Sequence, residues 1–309
     1  MAPPIPPRPP IGLVPISAIE KETGLTKEVI RKWESRYGFP LPARDDNGNR
    51  LYPAEQIDRL RLIRHLIGTG YRPGKIVRLS FTELDTLVRQ LSSPADPPTS
   101  TYTRQILEAL TAHDLPRLRD LFKQQWARDG LASFIGVTLA QLTTTIGEAW
   151  LRGEIRLFEE HLYTEVVLDV LHEAIRTVTG SAQTPRLLLA TPSGEIHTLG
   201  LMMAEAIAAM ERAHCIRLGA QIPVPELIAA ATACQADIVA LSFSVACPAR
   251  DVAQTLTVLR EQLPPEIELW AGGHGTSGLR PLSGICCLND LAGIGPALHH
   301  WRQAHPGRG

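Results

Sequence analysis

The sequence has no apolar run approaching the ~18 residues that cross a bilayer. Its start, Met1-Ala2-Pro3-Pro4-Ile5-Pro6-Pro7-Arg8-Pro9-Pro10, has no apolar core of the kind that directs secretion. The chain is therefore expected in the cytoplasm, with no membrane partner. It also has no Cys-x-x-Cys pair. The five cysteines, Cys215, Cys234, Cys247, Cys286 and Cys287, are odd in number and fall late, which argues against a disulfide framework and predicts reduced, mostly buried thiols. His274, Cys286-Cys287 and His299-His300 lack the spacing of a metal-ligand set. No internal repeat is present, which excludes a repeat array.

What is present is 309 residues with 44% hydrophobic content, enough for two or three domains with buried cores. The near-neutral total hides an asymmetry. Residues 1–92 hold 15 Lys and Arg against 10 Asp and Glu, and the remainder holds 16 against 22, for net charges of +5 and −6. A basic first third points to a polyanionic partner, most simply nucleic acid.

The proline-rich residues 1–10 read as an extended, poorly ordered tail, and the stretch around 92–101, rich in Pro and Ser, as a linker. Between them, Ser17-Ala18-Ile19-Glu20 is a capping-box start for a short helix, Gly24 supplies a turn, and Thr26 begins a second helix running through Trp33 to Tyr37. This is helix-turn-helix spacing. The second helix carries Lys27, Arg31, Lys32 and Arg36, cations suited to phosphates and base edges in a major groove. The turn Arg44-Asp45-Asp46-Asn47-Gly48-Asn49-Arg50-Leu51-Tyr52 is suited to a two-stranded wing with Arg44, Arg50 and Tyr52 near the DNA backbone. The alternative for the cations is a solvated helix face; for Trp33 and Tyr37, packing in a small core is the better reading. This order, with Arg31-Lys32-Trp33-Glu34-Ser35-Arg36-Tyr37-Gly38 and an Arg-x-x-x-Gly-x-Arg-x-Tyr wing, resembles the DNA-binding domain of MerR-type regulators over roughly residues 11–80, in a domain expected to span 11–91.

From 102 to 180 apolar positions recur at helical spacing, as in Ile106, Leu107, Leu110, Leu115, Leu118, Leu121 and Phe122, and predict a four-helix bundle. From 185 to 304, apolar runs at 187–190, 238–243 and 267–271 alternate with helical stretches at 198–212, 224–234 and 249–263, the pattern of a Rossmann-like, flavodoxin-like parallel sheet. The fold class is thus multidomain α and α/β.

The first of these runs leads into Gly194-Glu195-Ile196-His197-Thr198-Leu199-Gly200, where an open α/β sheet presents ligands. A histidine there can offer a ring nitrogen to a metal, with Glu195 fixing its tautomer; a loop residue and a general base are the other readings. Gly200 permits close approach of a bound group to the backbone. Glu-x-His-x-x-Gly, then Ser242-Phe243-Ser244, then Gly272-Gly273, resembles the cobalamin-binding domain shared with methionine synthase and the mutases. The resemblance implies His197 as lower axial cobalt ligand, with Glu195, Ile196, Thr198, Gly200, Ser242, Ser244, Gly272 and Gly273 lining the site. The usual Ser-x-Leu stands here as Ser242-Phe243-Ser244.

Trp150 precedes Glu160-His161 by nine intervening residues. A tryptophan in a bundle is ordinarily core, and a Glu-His pair ordinarily surface. In this context the pattern resembles the cap of light-sensing CarH and LitR-type regulators, and the resemblance extends to the whole chain. It implies a repressor rather than an enzyme, with Trp150, Glu160 and His161 covering adenosylcobalamin, and a homo-oligomer, dimer or tetramer, on promoter DNA. The chain departs from that family at Leu151, where a second cobalt-binding histidine is common, which leaves open a role for His161, another cobalamin form, a bilin, or cofactor sensing without light. The runner-up is a methyltransferase-type corrinoid carrier, against which the N-terminal module argues; a third class is a MerR-type regulator without cobalamin.

Overall fold

The computed structural model describes residues 13–306 apart from 24, 46–47, 54, 69–70, 92–99, 179–182 and 246. The proline-rich tail, Gly24, the wing tip at 46–47 and most of the linker lie outside the described residues. The chain forms two units, 1–100 with 146–157, and 101–145 with 158–309.

In the N-terminal unit, β1 (Leu13–Pro15) leads into α1 (Ile16–Thr23) and α2 (Lys27–Tyr37), followed by β2 (Ala43–Arg44), β3 (Arg50–Pro53), α3 (Glu55–Gly68), α4 (Pro73–Ile76) and α5 (Phe81–Leu91). Helix α2 starts because the Thr26 hydroxyl accepts from the Val29 amide at 3.4 Å and stops at Gly38, whose φ of +72° suits glycine. The capping box expected at Ser17–Glu20 is not formed. Strand β1 runs straight into α1, so the helix begins at Ile16, ahead of Ser17, and Glu20 accepts instead from the Lys27 amide at 3.2 Å. Such a box does form at Ser80 and Glu83, where the Ser80 amide donates to the Glu83 carboxylate at 2.7 Å and the Glu83 amide to the Ser80 hydroxyl at 3.3 Å. The order β1-β3-β2 is antiparallel throughout, and β2 with β3 makes the wing. Ile30, Trp33, Leu60, Ile63, Leu84 and Val88 belong to one buried core, against which Tyr37 packs.

The second unit opens with α6 (Thr101–Thr111), α7 (Leu115–Asp129), α8 (Leu131–Ser133) and a π-helical stretch (Phe134–Leu139), which leads into α9 (Ala140–Leu151); α10 spans Leu157–Val178. Ile106, Leu110, Leu118 and Phe122 are buried as their spacing predicts, and the Phe122 ring meets Phe134 and Tyr163 at 6.3 and 5.9 Å. Between α9 and α10 the chain breaks at Gly153, with φ of +72°.

The sheet comprises β4 (Gln183–Pro192), β5 (Ala213–Ile222), β6 (Ile238–Ser242), β7 (Glu268–Gly272) and β8 (Ile285–Leu288), crossed over by α11 (Leu199–Met210), α12 (Val224–Ala233) and α13 (Ala249–Gln262) and closed by α14 (Ile294–Ala304). All pairs are parallel, in the order β5-β4-β6-β7-β8, with Leu188 opposite Val239 and Leu241 opposite Ala271. The chain reverses direction across the sheet between β4 and β6, the point at which such sheets open a crevice at their carboxyl ends. The cysteines depart from expectation. Cys286 is exposed and the other four are half-buried, because Cys215, Cys286 and Cys287 sit on the edge strands β5 and β8 and Cys234 at a helix end.

Candidate functional site

Strand β4 ends at Pro192, and a turn closed by the Glu195 amide on the Pro192 carbonyl at 3.0 Å carries the chain through Gly194, φ +87°, to His197 and the start of α11. Glu195 is 1% exposed although it is an acid. Burial alone would push its carboxyl up; hydrogen bonds from the His197 ring and amide, Ser244 and Cys247 outweigh it and hold the group at about 2. One oxygen, Oε1, lies 2.6 Å from His197 Nδ1 and 2.8 Å from the His197 amide. The other, Oε2, accepts from the Ser244 amide at 2.7 Å and the Cys247 thiol at 3.1 Å.

An ionised carboxylate only accepts, so Nδ1 carries the proton and Nε2 keeps its lone pair. The bond to Glu195 raises the His197 pKa against the effect of burial, with the charges of Glu195 and Glu160 adding to the rise. Nε2 has no partner among the described residues, and the side chain is 55% exposed. The loop is tied from below by Thr191, whose hydroxyl donates to the Glu195 carbonyl at 2.6 Å and accepts from the Gln221 amide at 3.1 Å.

These residues fit a cobalt-bearing macrocycle. The donor set ends in a basic, oriented imidazole nitrogen, and a methyl group at Gly200 would stand 3.3 Å from the Ser242 hydroxyl, filling the space between α11 and β6. Ile196 and Val245 expose apolar side chains beside this donor set, at 61% and 47%. Gly272 and Gly273 have a different immediate reason. A Cβ at Gly273, φ +90°, would sit 2.3 Å from the Phe243 carbonyl oxygen, so the chain's own packing already demands glycine there.

Glu160 accepts from the Thr164 hydroxyl at 3.2 Å and pairs with His161 Nδ1 at 3.0 Å. Its neighbour Glu159 is the buried acid, paired with His113 at 3.1 Å. Trp150 belongs to the N-terminal unit, whereas Glu160, His161 and His197 belong to the other. The sequence reading missed Cys247 and Thr191, for which no motif spacing speaks. It also missed the cluster in which Arg217 bonds buried Glu205 at 2.7 Å and His172 at 3.1 Å.

On α2, Arg31, Lys32 and Arg36 are exposed, while Lys27 is drawn to Glu20 at 3.4 Å. In the wing Arg44 is exposed and donates to the Gly48 carbonyl at 2.9 Å. The expected contact of Tyr52 with DNA is corrected: Tyr52 is fully buried and its hydroxyl donates to Glu34, which also accepts from Arg50 at 3.1 Å. The pair clamps the wing to α2. Burial and that carboxylate push the Tyr52 hydroxyl pKa up, despite nearby Arg50 and Arg31.

Residues 14–80 match the MerR HTH family regulatory protein family, and residues 102–174 and 185–286 each match a B12 binding domain. The HTH-type transcriptional repressor CarH of Myxococcus xanthus is 29% identical over 81% of this chain and 85% of its own length. CarA, a repressor of the same organism, is 28% identical over 78% and 80%. Among solved structures, the monomethylamine corrinoid protein of Methanosarcina barkeri aligns with a TM-score of 0.52 and 15% identity over 66% of this chain and 100% of its own, a likeness of fold. No helix among the described residues is long and apolar enough to cross a membrane. A MerR-type helix-turn-helix followed by helical and sheet B12 binding domains, in this order along one chain, is the make-up of a cobalamin-dependent regulator similar to CarH over most of its length.

Proposed function

We propose that this chain is a light-responsive transcriptional repressor that binds promoter DNA as a homo-oligomer, dimer or tetramer, with adenosylcobalamin as its cofactor. It acts by binding and assembly, not by catalysis. The observation that carries the reading is His197, its Nδ1 held by buried Glu195 and its Nε2 without a partner among the described residues, in one chain with the exposed cations of α2. The division of labour is 11–91 for DNA, with 102–180 and 185–304 for the cofactor.

When bound, adenosylcobalamin supplies a cobalt–carbon bond that light breaks. The residues contribute the rest. His197 would hold the cobalt through Nε2, Ser242 and Ser244 would offer hydroxyls to the nucleotide tail, Gly200, Gly272 and Gly273 would keep its path clear, and Glu160 with His161 would line the space for the adenosyl group. Joining several DNA-binding units in one assembly raises their effective concentration on an operator, so loss of the assembly releases the promoter.

The test is gel filtration, absorbance and DNA binding of the adenosylcobalamin-loaded full chain before and after green light. The expected result is an oligomer that binds DNA in the dark and dissociates on illumination. An oligomer that survives complete photolysis refutes the light switch. A second reading, cofactor sensing without light, is favoured by Leu151 in place of the histidine common in the family, and predicts an oligomer that responds to cobalamin but not to illumination. Binding of a bilin in place of cobalamin would refute both.

A further inference from the structure

The second half of α9 and the turn to α10, Ile146–Leu157, pack with the DNA-binding unit although they lie about fifty residues beyond it in sequence. Leu151 is 6% exposed and is a member of the same buried core as Leu60, Ile63, Leu84 and Val88, and Trp150 packs against that core. The Arg61 guanidinium of α3 lies 5.0 Å from the Trp150 ring centroid and is itself held by Asp58 at 2.7 Å. A side chain at Gly153 would stand 3.4 Å from that Asp58 carboxylate. Asp85 of α5 acts electrostatically on Arg152, which pairs with Glu148 at 3.5 Å, and Glu148 acts in turn on His65 of α3. Cores, rings and charges on both α3 and α5 thus converge on one segment. The seat is imperfect in one respect: the Trp150 indole N–H is buried with no acceptor among the described residues. A buried donor left unpaired favours any arrangement that pairs it, so the segment is held but not locked.

We propose that residues 146–157 are a docking segment of the DNA-binding unit, seated on α3 and α5, through which occupancy of the cofactor site alters DNA binding. The coupling rests on the cobalamin-regulator reading above. Helices α9 and α10 continue from this segment into the cofactor-binding part of the chain, so a rearrangement there acts on the ends of a segment that the DNA-binding unit needs for its core. Coupling of this kind is reciprocal: DNA changes cobalamin affinity by the factor by which cobalamin changes DNA affinity. The proposal also gives a physical reason for Leu151, since a histidine there would bury a polar, ionisable ring in an apolar core.

The experiment uses the full chain in the dark, as wild type and as Leu151→Ala, with two readings: amide hydrogen exchange with and without adenosylcobalamin, and the ratio of DNA dissociation constants with and without it. Loss of the seat should raise exchange across α3 and α5 by about tenfold while β4 and β6 stay as in wild type. It should also bring the ratio to within about twofold of one. If Leu151→Ala fails to fold, Arg61→Met, which keeps volume and removes the charge over Trp150, is read in the same two ways. Unchanged exchange in α3 and α5 overturns the seat. A wild-type ratio retained in either folded variant overturns the coupling. A wild-type ratio of one overturns the regulatory reading and the coupling with it, and raised exchange in Leu151→Ala would then support the seat alone.

Discussion

The two oxygens of Glu195 serve different partners, one orienting His197 and the other tied to Ser244 and Cys247 across the crevice. An amide at this position keeps the size but can accept through one oxygen only. Glu195→Gln should therefore leave the sheet folded and weaken hydroxocobalamin binding by about ten- to a hundredfold, as loss of a ligand's orienting partner generally does. Absorbance titration measures this, and wild-type affinity would contradict the assignment. The glycines separate two kinds of constraint. Gly273→Ala forces a methyl into the Phe243 carbonyl in a left-handed backbone and should lower stability by about 1–3 kcal/mol, seen in thermal unfolding without cofactor. Gly200→Ala meets only the Ser242 hydroxyl, so it should melt near wild type and lose cofactor affinity instead. At this scale the sequence showed the positions that chemistry marks, Glu195, His197 and Gly200. It did not show Cys247 or Thr191, because a thiol or hydroxyl that steadies a carboxylate obeys no spacing until the fold brings it there.

At the scale of elements, the wing is held by a side chain and not by strand length, since β2 has two residues and β3 four. Tyr52→Phe removes the hydroxyl that Glu34 accepts from and should destabilise the N-terminal unit by about 1–3 kcal/mol, measured by chemical denaturation, with little change in DNA salt dependence. Helix α3 carries a pH response. Burial lowers the His65 pKa below its ordinary value, with Glu148 opposing. The unfolded chain therefore takes the proton first, so this contribution is intact above pH ~6.5 and declines as pH falls below it. His65→Leu should flatten the fall in stability of this unit between about pH 6.5 and 5. Helix α2 was legible because its cap, cations and terminal glycine are all local signals. Strands β5 and β8 were not. Both are edges with mixed polarity, and β5 is mostly half-buried or exposed with no continuous apolar run. The capping box that the sequence predicts at Ser17 does not form because β1, which fixes where α1 starts, is itself a tertiary pairing with β3.

At the scale of the molecule, the basic first third works through a few exposed cations. Arg31→Ala and Arg36→Ala should each weaken DNA binding and reduce the salt slope by about 0.9 for every phosphate left without its cation. Arg50→Ala, whose partner is Glu34, should change the slope less. Titrations at several salt concentrations decide this, and equal slopes for all three would remove α2 from the interface. The succession of helix-turn-helix, helices and parallel sheet could be read along the sequence, because each has its own hydrophobic period. The membership of residues 146–157 in the first unit could not, since spacing along one helix does not say which neighbour its side chains meet.

That membership also bears on how the chain is made. A ribosome releases residues 1–100 well before 146–157, so the N-terminal unit emerges without Leu151 and must close its core across a long loop, an event that local helix formation cannot hasten. The order of folding therefore crosses the order of synthesis, and the first domain to appear is among the last to be finished.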